Sequence, residues 1–324
     1  MAWSDILGQE LAKRILQSHL ARRRVPNAYL LAGPDGVGKR RLALEMAKAL
    51  NCSAVEGRPC DACRPCAQIG RGVHPDVHAV IRGGASDQIK IDQIRHIIGR
   101  VALRPFSAAY QVVIIEAAER LTEEAGNSLL KVLEEPSSST SFLLTTAHLG
   151  GCLPTIVSRC HLIRCQPLSA DAVRRILTQT HGVEPKTAEA VARLSSGSAV
   201  QAIDLAGRWA AYQQMVARLT GDAQASWLDA SAPATRQDVA QLLDGMVAWL
   251  RDVAVSAAGG SQWITHAEHA DALRRQAERI DVDRCLETAA ELMRLRESAD
   301  QFVSPRLIAS LAREKWLSLV ISEK

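Results

Sequence analysis

The run Gly33-Pro34-Asp35-Gly36-Val37-Gly38-Lys39 has the spacing G-x-x-x-x-G-K, and that spacing serves phosphate. Glycines let successive backbone N–H groups converge on an anion, and the lysine answers its charge. In a working site the next residue is Ser or Thr, whose hydroxyl holds the magnesium ion bridging the outer phosphates. Here it is Arg40. The second element of such chemistry is an acidic pair at the end of an apolar strand, one acid for the metal and one to polarise water. Val112-Val113-Ile114-Ile115 runs into Glu116-Ala117-Ala118-Glu119. Glu116 is of the right type to approach a metal, or it simply ends a strand, but Ala117 offers nothing to accept a proton. ATP hydrolysis by this chain is therefore expected to be poor or absent. Whether the loop still holds ATP or ADP stays open at this level.

Cys52, Cys60, Cys63 and Cys66 follow the spacing C-x7-C-x2-C-x2-C. Pairs two residues apart on a tight knuckle, completed by a thiolate from a helix end, suit tetrahedral zinc, and four thiolates leave no open position for catalysis. The expected role is structural, with Arg58 and Arg64 offsetting part of the site's negative charge. Reduced, unligated thiols are the alternative. His74 and His78 lie near but are not needed, and Cys152, Cys160, Cys165 and Cys285 lack any ligand spacing.

The elements that must carry these residues follow from periodicity. Helical patterns run over 8–24, 40–50, 91–101 and 122–133, with strand patterns at 29–32, 77–81, 111–115 and 142–146. Alternation of the two predicts an α/β domain, a parallel sheet covered on both faces. After Pro167 there are only helical segments. The expected organisation is 1–166 for the phosphate-loop domain with a zinc module at about 52–66, 167–207 for a small helical module, and 208–324 for a helical C-terminal domain. A loose connection rich in Ala, Ser and Asp falls at 221–233, before long helical periods at 237–257 and 281–319.

Composition narrows the function. With 39 basic and 35 acidic residues the net charge is +4, too small a field to argue for nucleic acid. Six Trp, three Tyr and three Phe are too few for reading single strands by stacking. Arg22-Arg23-Arg24, Arg100 and Arg104 are local candidates for phosphate contact, or solvated cations where a helix C-terminus favours them. No run approaches the roughly 18 apolar residues of a membrane span, and Met1 to Asp5 carries acid where a leader carries base. A cytoplasmic chain with no membrane partner is expected.

Ile6-Leu7-Gly8-Gln9, Ala28 through Pro34, the four cysteines, the run Asn127-Ser128-Leu129-Leu130-Lys131-Val132-Leu133-Glu134-Glu135-Pro136 and Ser158-Arg159-Cys160 occur in this order. Together they resemble the bacterial sliding-clamp loader subunits of the AAA+ class over about residues 1–200. The resemblance implies an AAA+ P-loop domain with a helical lid and a C-terminal helical collar. It also implies gamma/tau and delta subunits as partners, with the sliding clamp and primed DNA reached through the complex. The family holds an ATP-hydrolysing gamma/tau type and a non-hydrolysing stator, the delta-prime type. Its catalytic Thr falls on Arg40, its Asp-Glu pair on Glu116 and Ala117, and its lid arginine on Val200 after Gly197-Ser198, so the departures point to the stator. Arg159 would then be an arginine finger offered to a neighbour's nucleotide. An active gamma/tau-type motor and a stand-alone zinc-dependent nucleic-acid binder are the competing readings.

Overall fold

Short, densely apolar runs become strands when both of their faces are covered, and three such strands flanked by two less buried edge strands build the sheet of this protein. The computed structural model describes residues 3–81, 87–135, 139–220, 235–299 and 304–321. The strands are β1 (Ala28–Ala32), β2 (Val77–Val80), β3 (Gln111–Ile115), β4 (Thr140–Thr146) and β5 (His161–Arg164). They lie in the order β2-β3-β4-β1-β5, every pair parallel. β1, β3 and β4 are buried throughout. The alternation along β1 divides the core. Tyr29 and Leu31 pack with Leu42, Met46, Val112 and Leu143, whereas Leu30 packs with Ile94, Val113, Leu129 and Phe142 on the other face.

β5 is the strand that periodicity does not find. Of His161, Leu162, Ile163 and Arg164 only Ile163 is buried, so an edge strand with polar ends carries no apolar run. Its order comes from pairing with β1, Tyr29 opposite His161 and Ala32 opposite Arg164.

The helices covering the sheet are α1 (Glu10–Ala21), α2 (Lys39–Asn51), α3 (Arg64–Gly70), α4 (Ile91–Val101), α5 (Glu123–Glu134), the short α6 (Pro154–Val157) and α7 (Ala170–His181). α1 is shorter than the 8–24 pattern because Gln9 (φ 59) and Arg23 (φ 52) take left-handed backbone that an α-helix cannot continue. Then come α8 (Pro185–Leu194), α9 (Ala199–Gly207), α10 (Trp209–Thr220), α11 (Arg236–Ala257), α12 (Ala270–Arg279), α13 (Val282–Ala299) and α14 (Pro305–Ile321). The chain is thus an α/β parallel-sheet domain followed by helices. The 281–319 period divides into α13 and α14, and the connection expected at 221–233 lies outside the described residues.

Two compact units result, Met1–His181 with Ser196–Gln201, and Gly182–Ser195 with Ala202–Lys324. The second has its own core around Trp249, Trp316, Leu243, Met246 and Leu292. Beside that core the fully buried Asp252 is saturated. Its Oδ2 accepts from Thr265 N (2.8 Å) and Oγ1 (2.6 Å) and from His266 N (2.8 Å) and Nδ1 (2.7 Å), and Arg251 Nη1 donates to Oδ1 (2.9 Å). His266 Nε2 in turn lies 2.6 Å from the Tyr212 hydroxyl. Asp252→Ala strands these donors in a dry core and is expected to lower stability by about 3–5 kcal/mol in denaturant titration. A loss below about 1 kcal/mol would show the network to be dispensable. Burial pushes the Asp252 carboxyl up, but the bonds from His266 and Thr265 outweigh it and hold it below the ordinary range. Its stabilisation is therefore complete above about pH 4 and fades as pH falls through the depressed folded value.

Candidate functional site

In a parallel sheet all strands end on one edge, and the order reverses between β1 and β4, which is where such sheets hold ligands. β1 leads through Gly33–Gly38 into α2. Gly33 N donates to Thr146 O at 3.1 Å, pinning the loop to the end of β4. A Cβ at Gly33 would stand 2.2 Å from Cys165 O, so no larger residue fits. Gly38 (φ 103) takes a backbone open to glycine and faces open space. The buried Lys39 ammonium donates to Gly33 O (2.6 Å) and Pro34 O (2.7 Å) and approaches Asp35 Oδ1 (3.3 Å). From the other side Ala199 N donates to Gly36 O at 3.0 Å, so the start of α9, with Ser198 and Val200, rests on the loop. Gly33, Gly36, Gly38 and Lys39 are thus brought together in one loop at the start of α2.

Glu116, at the end of β3, is also at this edge, and it is occupied. Arg40 Nε lies 2.7 Å from Glu116 Oε1. The approach is an ion pair without a hydrogen-bond alignment, and that oxygen is buried. Arg40, next after the loop lysine, and Glu116, next after β3, therefore neutralise each other. Ala117 follows with its N–H on Thr145 Oγ1 (3.2 Å), and Glu119 accepts from Ala147 N (3.1 Å). Ala117 carries no side chain that could activate water.

Arg159 sits in the short link between α6 and β5. It is not a lone exposed cation. Nε donates to Glu134 Oε1 (2.7 Å), Nη2 also reaches Glu134, and Nη1 donates to Thr155 O (3.0 Å). Its side chain remains a third exposed. Glu134, at the end of α5, is a partner that sequence reasoning did not single out, although it lies within the Asn127 to Glu135 run. Pro136 lies outside the described residues.

The ligand-type atoms of Cys52, Cys60, Cys63 and Cys66 all lie within 4.8 Å of one another. Tetrahedral zinc with Zn–S bonds of about 2.3 Å needs sulfurs roughly 3.8 Å apart, and Cys63 Sγ to Cys52 Sγ is 4.0 Å. The donor set fits zinc. Burial would raise the Cys63 thiol, but backbone N–H groups of Ser53 and Cys66 outweigh it and bring it down to about 6. Backbone N–H groups of Cys63 and Ala62 likewise lower Cys60, while burial pushes Cys66 up. Lys48 of α2 bridges Glu45 (2.7 Å) and Asp61 (2.8 Å), fastening the cysteine loop to the helix that also carries Lys39. His74 Nδ1 is taken by Asp76 N (3.1 Å), away from any ligand role. Arg22, Arg23, Arg24, Arg100 and Arg104 are exposed. No helix among the described residues is long and apolar enough to cross a membrane.

Sequence comparison reaches the same region. The signature of the family described as "DNA polymerase III, delta subunit" matches residues 8–169, and that of its C-terminal part matches residues 206–319. DNA polymerase III subunit delta' of Bacillus subtilis is 34% identical over 63% of this chain and 61% of its own length. Subunit delta' of Pseudomonas aeruginosa is 36% identical over 64% and 61%. Subunit tau of Escherichia coli is 32% identical over 63% of this chain and 32% of its own length. The matched stretch therefore spans less than two thirds of each of these relatives.

Proposed function

Because the chain belongs to the DNA polymerase III delta-subunit family, we propose that it is the delta-prime-type subunit of a clamp loader, a stator that assembles with gamma/tau and delta subunits but does not hydrolyse ATP. The observation that carries this reading is the Arg40–Glu116 ion pair beside Ala117. A hydrolytic site needs a hydroxyl and a carboxylate free for magnesium and a group to polarise water, and here all three positions are given to something else. Arg159 then serves a nucleotide held by a neighbour, and the four cysteines hold a structural zinc ion. The clamp and primed DNA are engaged through the complex, in the cytoplasm.

The gamma/tau-type motor is the competing reading, favoured by the complete glycine loop and Lys39. Turnover by the purified chain decides between them. The expected result is no ATP hydrolysis above background for the chain alone and clear hydrolysis once it is reconstituted with its partner subunits. Hydrolysis by the isolated chain that Lys39→Ala abolishes would establish the motor instead.

A further inference from the structure

We propose that a cleft in the second unit is an anchor site for a peptide, taking an aromatic side chain whose flanking carboxylates meet cations of α8. The site goes beyond the clamp-loader reading and uses none of the residues of the phosphate loop.

The cleft has a volume of about 350 Å³ and is lined by α8, α10 and the turn at Glu268 and His269. Its base is aromatic and apolar. Trp209 stacks on Tyr212 with ring centroids 5.5 Å apart and planes 16° from parallel, and Tyr212 stacks in turn on the buried His266 at 6.1 Å and 8°. Val216, from the core of the unit, completes the base. The Tyr212 hydroxyl is taken by His266 Nε2, and His266 Nδ1 by the buried Asp252. The tyrosine ring therefore cannot swing into the cleft without breaking buried hydrogen bonds. A surface shaped in advance in this way lowers the ordering cost of binding.

The rim is polar and exposed. Lys186, Glu189 and Arg193 share one face of α8, and Gln213 and Glu268 lie on the other walls. An aromatic centre inside a charged, solvated rim is the anatomy of a protein-recognition anchor. Glu189 and Glu268 repel the phosphate chain of a nucleic acid, and burial holds His269 below its ordinary range, so that it adds no cation at neutral pH. Lys186 makes no ion pair among the described residues, although Glu184 feels its charge. Arg193 has only a long approach to Glu189, 3.7 Å. Both cations therefore have capacity for a further carboxylate. Seven residues of helix separate them by about 10 Å, and carboxylates three residues apart in an extended peptide span about the same distance. The ligand that fits is an extended segment with an aromatic residue between two acids.

The blocked peptide Asp-Phe-Ala-Asp, titrated against the full chain and followed by NMR on its phenyl protons, tests this. A dissociation constant below about 1 mM is expected, and the same peptide with alanine in place of phenylalanine should bind about tenfold more weakly. Trp209→Ala should cost about tenfold, whereas Trp209→Phe, which keeps a ring, should retain most of the affinity. Lys186→Glu changes only the exposed rim, so its melting curve should match the parent's, and it should weaken binding about threefold to tenfold. Absence of peptide binding by the parent chain at about 1 mM, equal binding of the alanine peptide, or unchanged affinity in Lys186→Glu would each overturn the proposal. So would Trp209-dependent binding of a thymidine oligonucleotide where the peptide fails. None of these outcomes touches the non-hydrolysing reading, which stands or falls on ATP turnover.

Discussion

Arg159→Ala is expected to leave the subunit folded and assembled while slowing ATP hydrolysis at one neighbouring site by about 10³–10⁵, the range for an arginine finger acting on each turnover. The folded state should barely notice. The fork between Arg159 and Glu134 is solvent-exposed on both sides, and such pairs contribute at most about 1 kcal/mol. The geometry adds a requirement that the motif alone does not: to reach a neighbour's phosphate, the guanidinium must first leave Glu134. Glu134→Gln weakens that hold, so it should preserve or raise the neighbour's rate where Arg159→Ala destroys it. Arg159→Lys should fail nearly as badly as alanine, because an ammonium lacks the fork that spans two oxygens. A loader with several ATP sites dilutes the effect in bulk turnover, so clamp loading by the reconstituted complex is the measurement. Full loading with Arg159→Ala in an intact complex would leave this chain a passive scaffold.

Purified chain should carry one zinc ion, and Cys63→Ser should remove it together with the order of the 52–70 segment. Metal and folding free energies are coupled in such sites, with apparent binding of about 10–16 kcal/mol in zinc-finger peptides. The parallel sheet has its own core, so the loss should be regional. Hydrogen exchange should accelerate in the cysteine loop and α3, which carries Cys66, and less in β3 and β4. Elemental analysis with less than about a tenth of an equivalent of zinc would remove the site. Loss of zinc without faster exchange would make it adventitious.

Much of the chemistry was legible in the sequence because it is local. A glycine loop, its lysine and the arginine after them are consecutive, and their spacing alone specifies a cradle whose magnesium ligand is missing. The cysteines span fifteen positions, and a knuckle of that length brings thiolates together with little help from the rest of the chain. The apolar runs within β1, β3 and β4 could be read because strands buried on both faces are predominantly apolar, although Gln111, Thr140, Ser141, Thr145 and Thr146 are buried there too. β5 was not legible, since its ends are polar and only the edge of β1 makes it a strand.

The pairings that govern the site were beyond the sequence for a different reason. Arg40 meets Glu116 only because the order β3-β4-β1 sets the ends of β3 and β1 on one rim. Arg159 meets Glu134 only because α6 returns the chain beside the end of α5 before β5 begins. Ala199 reaches Gly36 across more than half of the first unit's length. Residue types and spacing determined that the chain has a G-x-x-x-x-G-K loop followed by Arg40, an alanine after Glu116, and four cysteines at a ligand-like spacing. That Arg40 neutralises Glu116 and Arg159 neutralises Glu134 was decided by the tertiary structure, because these partners are far apart in the chain and the packing of strands and helices sets their distance.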